Sequence, residues 1–233
     1  MPLSAPRRSA LSDQVISQLR GQITSGEWPV GSRIPTEPEL AEQFGVARNT
    51  VREAVRALAH TGLLAIRQGS GTYVAATSEL AGVMHRRFAG TDPHHVSEAR
   101  ATLESSAARF AALRRTERDL RQLDALLARR ESAWGARDKE AFVEADTALH
   151  LAVVSAAHND VLTALYADLG DLLRQALRDH VTGPLAQREL MDHTPLVEAL
   201  RARDAETAAT EAEAYALNCL PEYALPAYAP VRG

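Results

Sequence analysis

A chain of 233 residues, 45% hydrophobic and 24% charged, has the composition of a globular protein with room for one large or two modest domains. The net charge of -4 argues at first against nucleic acid, but residues 1–77 hold 8 arginines against 6 acids (+2), leaving 18 basic residues against 24 acids (-6) for the rest. The single cysteine, Cys219, excludes an intrachain disulfide and a cysteine-based zinc site. No apolar run reaches bilayer length, and Arg7-Arg8 is followed by no hydrophobic segment, so the start does not read as a signal peptide and the cytoplasm is the expected location.

In chain order, a first helix is expected over about residues 11–25, with Leu11, Val15, Ile16, Leu19 and Ile23 as its apolar stripe. Pro29 to Pro35 is turn-rich and reads as a short extended connection. Thr36-Glu37-Pro38-Glu39 fits a capping box, and Leu40, Ala41 and Phe44 give the short helix after it a buried side. Gly45-Val46 makes a tight turn. The next helix has two unlike faces: Val51, Ala54, Val55 and Leu58 point inward, while Arg48, Asn49, Arg52 and Arg56 gather on another side. Arginine and asparagine suit base edges and phosphates, and two short helices about a glycine turn form a helix-turn-helix; the plainer alternative is a solvated charged face. Residues 63–67 and 72–75 read as strands about Gln68-Gly69-Ser70-Gly71, a hairpin wing whose tip can touch backbone or minor groove through Arg67, Gln68 and the Gly69 amide.

Over residues 29–75 the chain resembles the DNA-binding domain of the GntR superfamily of bacterial transcription regulators. The resemblance rests on Pro29-x-Gly31, Ile34-Pro35-Thr36-Glu37-x-Glu39-Leu40-Ala41, Phe44-Gly45-Val46, Arg48-x-x-Val51-Arg52-Glu53-Ala54, Leu58, Gly62-Leu63 and Gly69-x-Gly71-x-x-Val74. It implies that Arg48 reads a base and that Asn49, Thr50 and Arg52 contact backbone or base edges; Thr36 and the wing residues complete the expected DNA-binding set. Two positions depart. Pro38 stands where the family has a basic or polar residue, and Ala47 stands for serine, a cap loss on the order of 1 kcal/mol. A field of +2 is weak for one head, which points to two heads on a palindromic operator and hence a homodimer.

From about residue 78 strand signals vanish and good helix formers dominate. Helices are expected at about Glu79–Phe88 (a link between domains), Val96–Leu113, Glu117–Trp134, Lys139–Ala157, Val161–His180, Gln187–Ala202 and Ala205–Leu220, with breaks such as Gly183-Pro184 and an irregular tail at 221–233. The expected fold is mainly α: a winged helix-turn-helix of three helices and a hairpin over 1–77, and an all-helical bundle over 78–220. Asp146 and His150, four apart, project from one helical face beside Leu149 and Val153, and His193 opens a later helix. An Asp-His-His set suits zinc, nickel, manganese or iron; a plain hydrogen-bonded Asp-His pair is the alternative. His85, His94, His95 and His180 read as surface or packing residues.

Residues 96–220 resemble the FCD ligand-sensing domain of the FadR branch, through Arg100-x-x-Leu103-Glu104, Asp146-x-x-x-His150, Asn159, His193 and Asp204-Ala205. The resemblance implies a divalent metal, zinc or nickel foremost, held by one aspartate and three histidines and completed by a carboxylate effector. Asp146, His150 and His193 match three ligand positions, but the fourth is Tyr215, whose phenol ionises ordinarily near pH 10. Three readings stay open: a metal with three protein ligands and water, Tyr215 acting on metal or effector, or a metal-free site in which His150 and His193 bind an organic acid. Arg100 can clamp an effector carboxylate or pair with Glu104, and Asn159 can bind effector or cap a helix. The expected function is an effector-responsive DNA-binding regulator, a repressor in most of the family, sensing a small carboxylate. The alternatives are a metal-dependent enzyme at the Asp-His-His site and a constitutive dimeric DNA-binding protein. The chain has no H-E-x-x-H, nucleophile elbow or phosphate loop to support an enzyme.

Overall fold

The structure, a computed structural model, describes residues 10–88, 90–180 and 192–218. Cys219, Gly183-Pro184, the start of the helix expected from Gln187 and the tail at 221–233 lie outside these residues. The chain divides into two compact units, Met1–Ala89 and Gly90–Gly233.

In the first unit, α1 (Ala10–Thr24) lays Val15, Leu19 and Ile23 against Val51, Ala54, Val55 and Leu58 of α3 (Arg48–Thr61), all almost fully buried. Leu11 was expected in the α1 stripe but is 51% exposed, because the first turn of α1 overhangs the core. Between them α2 (Glu37–Phe44) is fixed at its start by Glu39, whose carboxylate accepts from the Thr36 amide at 2.7 Å and the Thr36 hydroxyl at 2.8 Å. Gly45 ends α2 in the left-handed region (φ 64°), and the Val46 amide donates to the Ala41 carbonyl, which sets the sharp turn into α3. The wing pairs β1 (Leu64–Arg67) antiparallel with β2 (Gly71–Val74), Leu64 opposite Val74 and Arg67 opposite Gly71. The connection before α2 lies along β2: the Ile34 amide donates to the Thr72 carbonyl and the Val74 amide to the Ser32 carbonyl.

A domain boundary was expected after residue 77, with α4 (Glu79–Phe88) as a link. The structure instead groups α4 with the first unit. The reason is a glycine-on-glycine approach. A Cβ on Gly82 would come within 2.5 Å of the Gly62 carbonyl oxygen, so only bare backbone lets α4 dock on the end of α3.

The second unit holds α5 (Pro93–Arg114), α6 (Glu117–Gly135), α7 (Lys139–Ser155), α8 (Asp160–His180), α9 (Thr194–Ala202) and α10 (Ala205–Asn218). Each helix start carries a side-chain acceptor where one was available: Asp92, Thr116, Asp138 and Asn159 all take an amide from the first turn. Ala107, Ala108, Ala111 and Ala112 of α5 and Ala208 and Ala212 of α10 are sealed in one core, small side chains that let these two helices lie close. Buried Arg115 ties the end of α5 to α9, donating to the carbonyls of Leu200 and Arg201. His85 and His95 are exposed and His94 is half-buried, as expected; His158 pairs with Asp119 at 2.8 Å. No helix among the described residues is long and apolar enough to cross a membrane.

Candidate metal centre and nucleic-acid interface

The outer face of α3 carries Arg48, Asn49, Arg52 and Arg56, all exposed, with Thr50 half-buried beside them. Ala47 supplies no side-chain cap; the Thr50 amide donates instead to the Ala47 carbonyl at 2.9 Å. Arg52 is not wholly uncommitted: its Nε donates to Glu37 at 2.9 Å, which braces α2 against α3. Thr36 spends its hydroxyl on Glu39, so its role in this geometry is to shape the start of α2. On the wing, the Arg67 guanidinium lies 4.5 Å from the centre of the Tyr73 ring, and the Tyr73 hydroxyl is 2.7 Å from Ser70 Oγ. That stacking holds a cation at the hairpin tip, next to exposed Gln68 and Gly69.

In the second unit, α7 brings Asp146 and His150 to one buried face, and the turn before α9 brings His193 to meet them. His150 Nε2 and His193 Nε2 are 3.1 Å apart; Asp146 Oδ2 is 3.7 Å from the first and Asp146 Oδ1 3.9 Å from the second. Donors bound to one divalent ion at 2.0–2.2 Å stand roughly 3–4 Å from one another, so the donor atoms of these three residues fit a common ion. Such a donor set, imidazole nitrogen with carboxylate oxygen, suits zinc or nickel. On the far side of the ring, His150 Nδ1 lies 2.9 Å from Glu104 Oε2, an ion-pair contact off the line of a straight hydrogen bond. A proton held on Nδ1 towards Glu104 leaves the Nε2 lone pair facing His193 and Asp146.

Glu104 is a node. Its Oε1 also accepts from Arg100 Nε at 2.6 Å and from the Tyr166 hydroxyl of α8. Burial alone would push the Glu104 carboxyl up, but the neighbouring Arg100 and His150 and the Tyr166 hydrogen bond outweigh it and bring it down to about 2. Asp146 behaves alike: burial opposes its charge, yet His150, Arg130 and His193 hold it well below the usual carboxylate range. Arg130 of α6 donates to Asp146 Oδ1 at 2.6 Å and stacks on Phe142. Arg130 and Tyr166 carry no signal in the sequence; each meets the cluster only through the fold. Glu104 was visible only as a partner for Arg100.

Tyr215, at the expected fourth ligand position, stacks flat on His193 with ring centres 4.1 Å apart, and its hydroxyl donates to the Asp192 carbonyl at 2.5 Å. Burial, with the nearby Glu211, pushes the phenol far above its ordinary range, so it stays a neutral donor. Arg100 is buried in its pairing with Glu104, the second of its two expected roles. Asn159 caps α8 through Leu162 N, likewise the second of its two.

Comparison with known proteins places both units. Residues 11–74 match the bacterial regulatory proteins of the gntR family, and residues 95–216 match the FCD domain. The chain belongs to the GntR family, in its FCD-bearing FadR-like branch. It is similar to the galactonate operon transcriptional repressor of Escherichia coli K12, 33% identical over 84% of this chain and 90% of that one. It also resembles the Uxu operon regulator of Haemophilus influenzae, 32% identical over 82% of this chain and 73% of that one. Among solved structures it matches a GntR protein of Streptococcus agalactiae with TM-score 0.52 and 27% identity, over 88% of this chain and 96% of that one. The protein is thus a DNA-binding transcription regulator, and membership of a family of regulators sets aside the enzyme alternative.

Proposed function

We propose that this regulator is a homodimeric repressor that sits on a palindromic operator in the cytoplasm and leaves it when a small carboxylate occupies the second unit. The observation that carries the reading is the buried meeting of Asp146, His150 and His193, with two imidazole nitrogens 3.1 Å apart and a carboxylate held ionised beside them. Bound there, a zinc or nickel ion supplies positive charge and open positions for a carboxylate. The chain's own part is to hold Asp146, His150 and His193 in place, with Glu104 fixing the proton of His150 on the outward nitrogen. Arg48, Asn49, Thr50 and Arg52 take the operator, with Arg67, Gln68 and Gly69 following the backbone from the wing; Arg48 is the reader of a base. Similarity to a galactonate operon repressor supports a sugar acid as the effector.

The test is fluorescence anisotropy of the purified chain on DNA from upstream of its own gene, with a panel of sugar acids and hydroxy acids at fixed zinc. An acid of the right class lowers operator affinity about 5–150-fold. Undiminished affinity across the panel leaves a constitutive DNA-binding protein.

A further inference from the structure

On the outer side of the wing, two arginines from separate segments meet at one glycine. Directly opposed residues of an antiparallel ladder share a face, and so do residues two apart in a strand. Tyr73 bridges to Arg33 in the segment before α2, and Arg67 stands opposite Gly71 in the hairpin. Arg33, Tyr73, Gly71 and Arg67 therefore share one face, while buried Ile34, Leu64 and Val74 take the other. Both guanidiniums are drawn in along the outer face. Arg67 lies over the Tyr73 ring, 4.5 Å from its centre. Exposed Arg33 crosses the strand to lie against the bare backbone of Gly71, where a Cβ would stand 2.6 Å from Arg33 Nε and 3.2 Å from its Cζ. Gly71 forms the last rung of the ladder, next to the exposed Gln68 and Gly69, so the tip carries two cations.

Like charges gathered at one rung of a sheet repel unless an anion stands near. Among the described residues neither guanidinium has an ion pair. Glu39 feels the Arg33 charge, but its carboxylate is held low chiefly by the two bonds it accepts from Thr36. We propose that Arg33 is a further DNA-contact residue, gripping a backbone phosphate at the wing tip alongside Arg67. A phosphate suits it because the planar guanidinium forks onto two oxygens at once. Gly71 is the position that makes room for this grip. The proposal rests on the reading given above, in which the wing follows the DNA backbone, and adds a residue from outside the hairpin. With a net charge of only +2 on residues 1–77, one more phosphate contact for each head is a large share of the field.

The salt dependence of binding tests it, by fluorescence anisotropy of the full chain on two duplexes, one from upstream of its own gene and one a scramble of that sequence. Each phosphate neutralised steepens log affinity against log salt by about 0.9. Arg33→Gln lowers the slope by about 0.9 for each bound head on both duplexes and weakens both by the same factor. Arg33→Lys, which keeps the charge, restores most of the slope. A variant that is merely less well folded loses affinity with its slope unchanged, and that result refutes the contact. An unchanged slope for Arg33→Gln beside a shallower one for Arg67→Gln also refutes it and leaves the wing reading standing. Unchanged slopes for both variants overturn the wing reading as well. A loss confined to the upstream duplex makes Arg33 a reader of bases and rules out the phosphate role.

Discussion

Arg130→Met isolates the electrostatics of the second unit. Arg130 Nε is 2.6 Å from Asp146 Oδ1, and the two side chains are 2% and 7% exposed. Methionine keeps most of the arginine stem's packing on Phe142 but removes the charge, leaving a buried carboxylate without its closest cation. Breaking such a pair from one side costs about 3–5 kcal/mol. At about 2–4 °C per kcal/mol for a chain of this size, Tm falls by roughly 6–20 °C. The pH dependence gives the sign. In the wild type Asp146 is depressed below its ordinary value, so its contribution is present above that value and is lost only as pH falls through the lower one. Without Arg130, burial dominates and lifts the carboxyl, so the penalty is greatest at neutral pH and shrinks as protons reach Asp146. Urea unfolding at pH 7 and pH 5 reads both effects, and Arg130→Met/Asp146→Asn recovers most of the loss. A deficit under about 1 kcal/mol at pH 7, or one that does not narrow at pH 5, refutes the reasoning.

Two further variants probe the first unit. Arg48→Ala should lose about 1–3 kcal/mol on operator DNA and little on scrambled DNA, read by mobility-shift titration; equal loss on both contradicts base reading. Gly62→Ala places a Cβ 1.9 Å from Arg86 Nη1 and 3.0 Å from the Gly82 carbonyl carbon at φ 90°, so it should destabilise the first unit by about 1–3 kcal/mol in thermal melts; a neutral effect means that α4 does not need that close approach.

The reading head was legible because its determinants are local. Glu39 reaches Thr36 three residues back, Gly45 turns the chain where a left-handed residue is needed, and the inward set Val51, Ala54, Val55 and Leu58 follows one helical period. Asp146 and His150 were legible for the same reason, being one turn apart on α7. What spacing could not supply lies at long range. Arg130 meets Asp146 across 16 residues and Tyr166 meets Glu104 across 62, and nothing beside either residue in the sequence marks it out from its neighbours. Local spacing also misleads at element ends: Leu11 keeps the period of its helix but lies beyond the core, and the boundary expected at 77 left out a helix that packs Gly82 on Gly62 and pairs Glu79 with Arg20.

The buried cluster also explains why this site can act as a switch. Glu104 of α5 grips His150 of α7 and Tyr166 of α8; His193 stands before α9, and Tyr215 of α10 lies flat on it. Five helices therefore meet around a gap of 3.1 Å between two ring nitrogens. The two ring nitrogens face each other across that gap. His193 cannot shift without disturbing the Tyr215 ring stacked on it and the Tyr215 hydroxyl bond to Asp192. Because the interior is close-packed, a displacement of His193 is passed on as helix movement rather than absorbed. An effector's differential affinity for the two arrangements then sets how far the population moves.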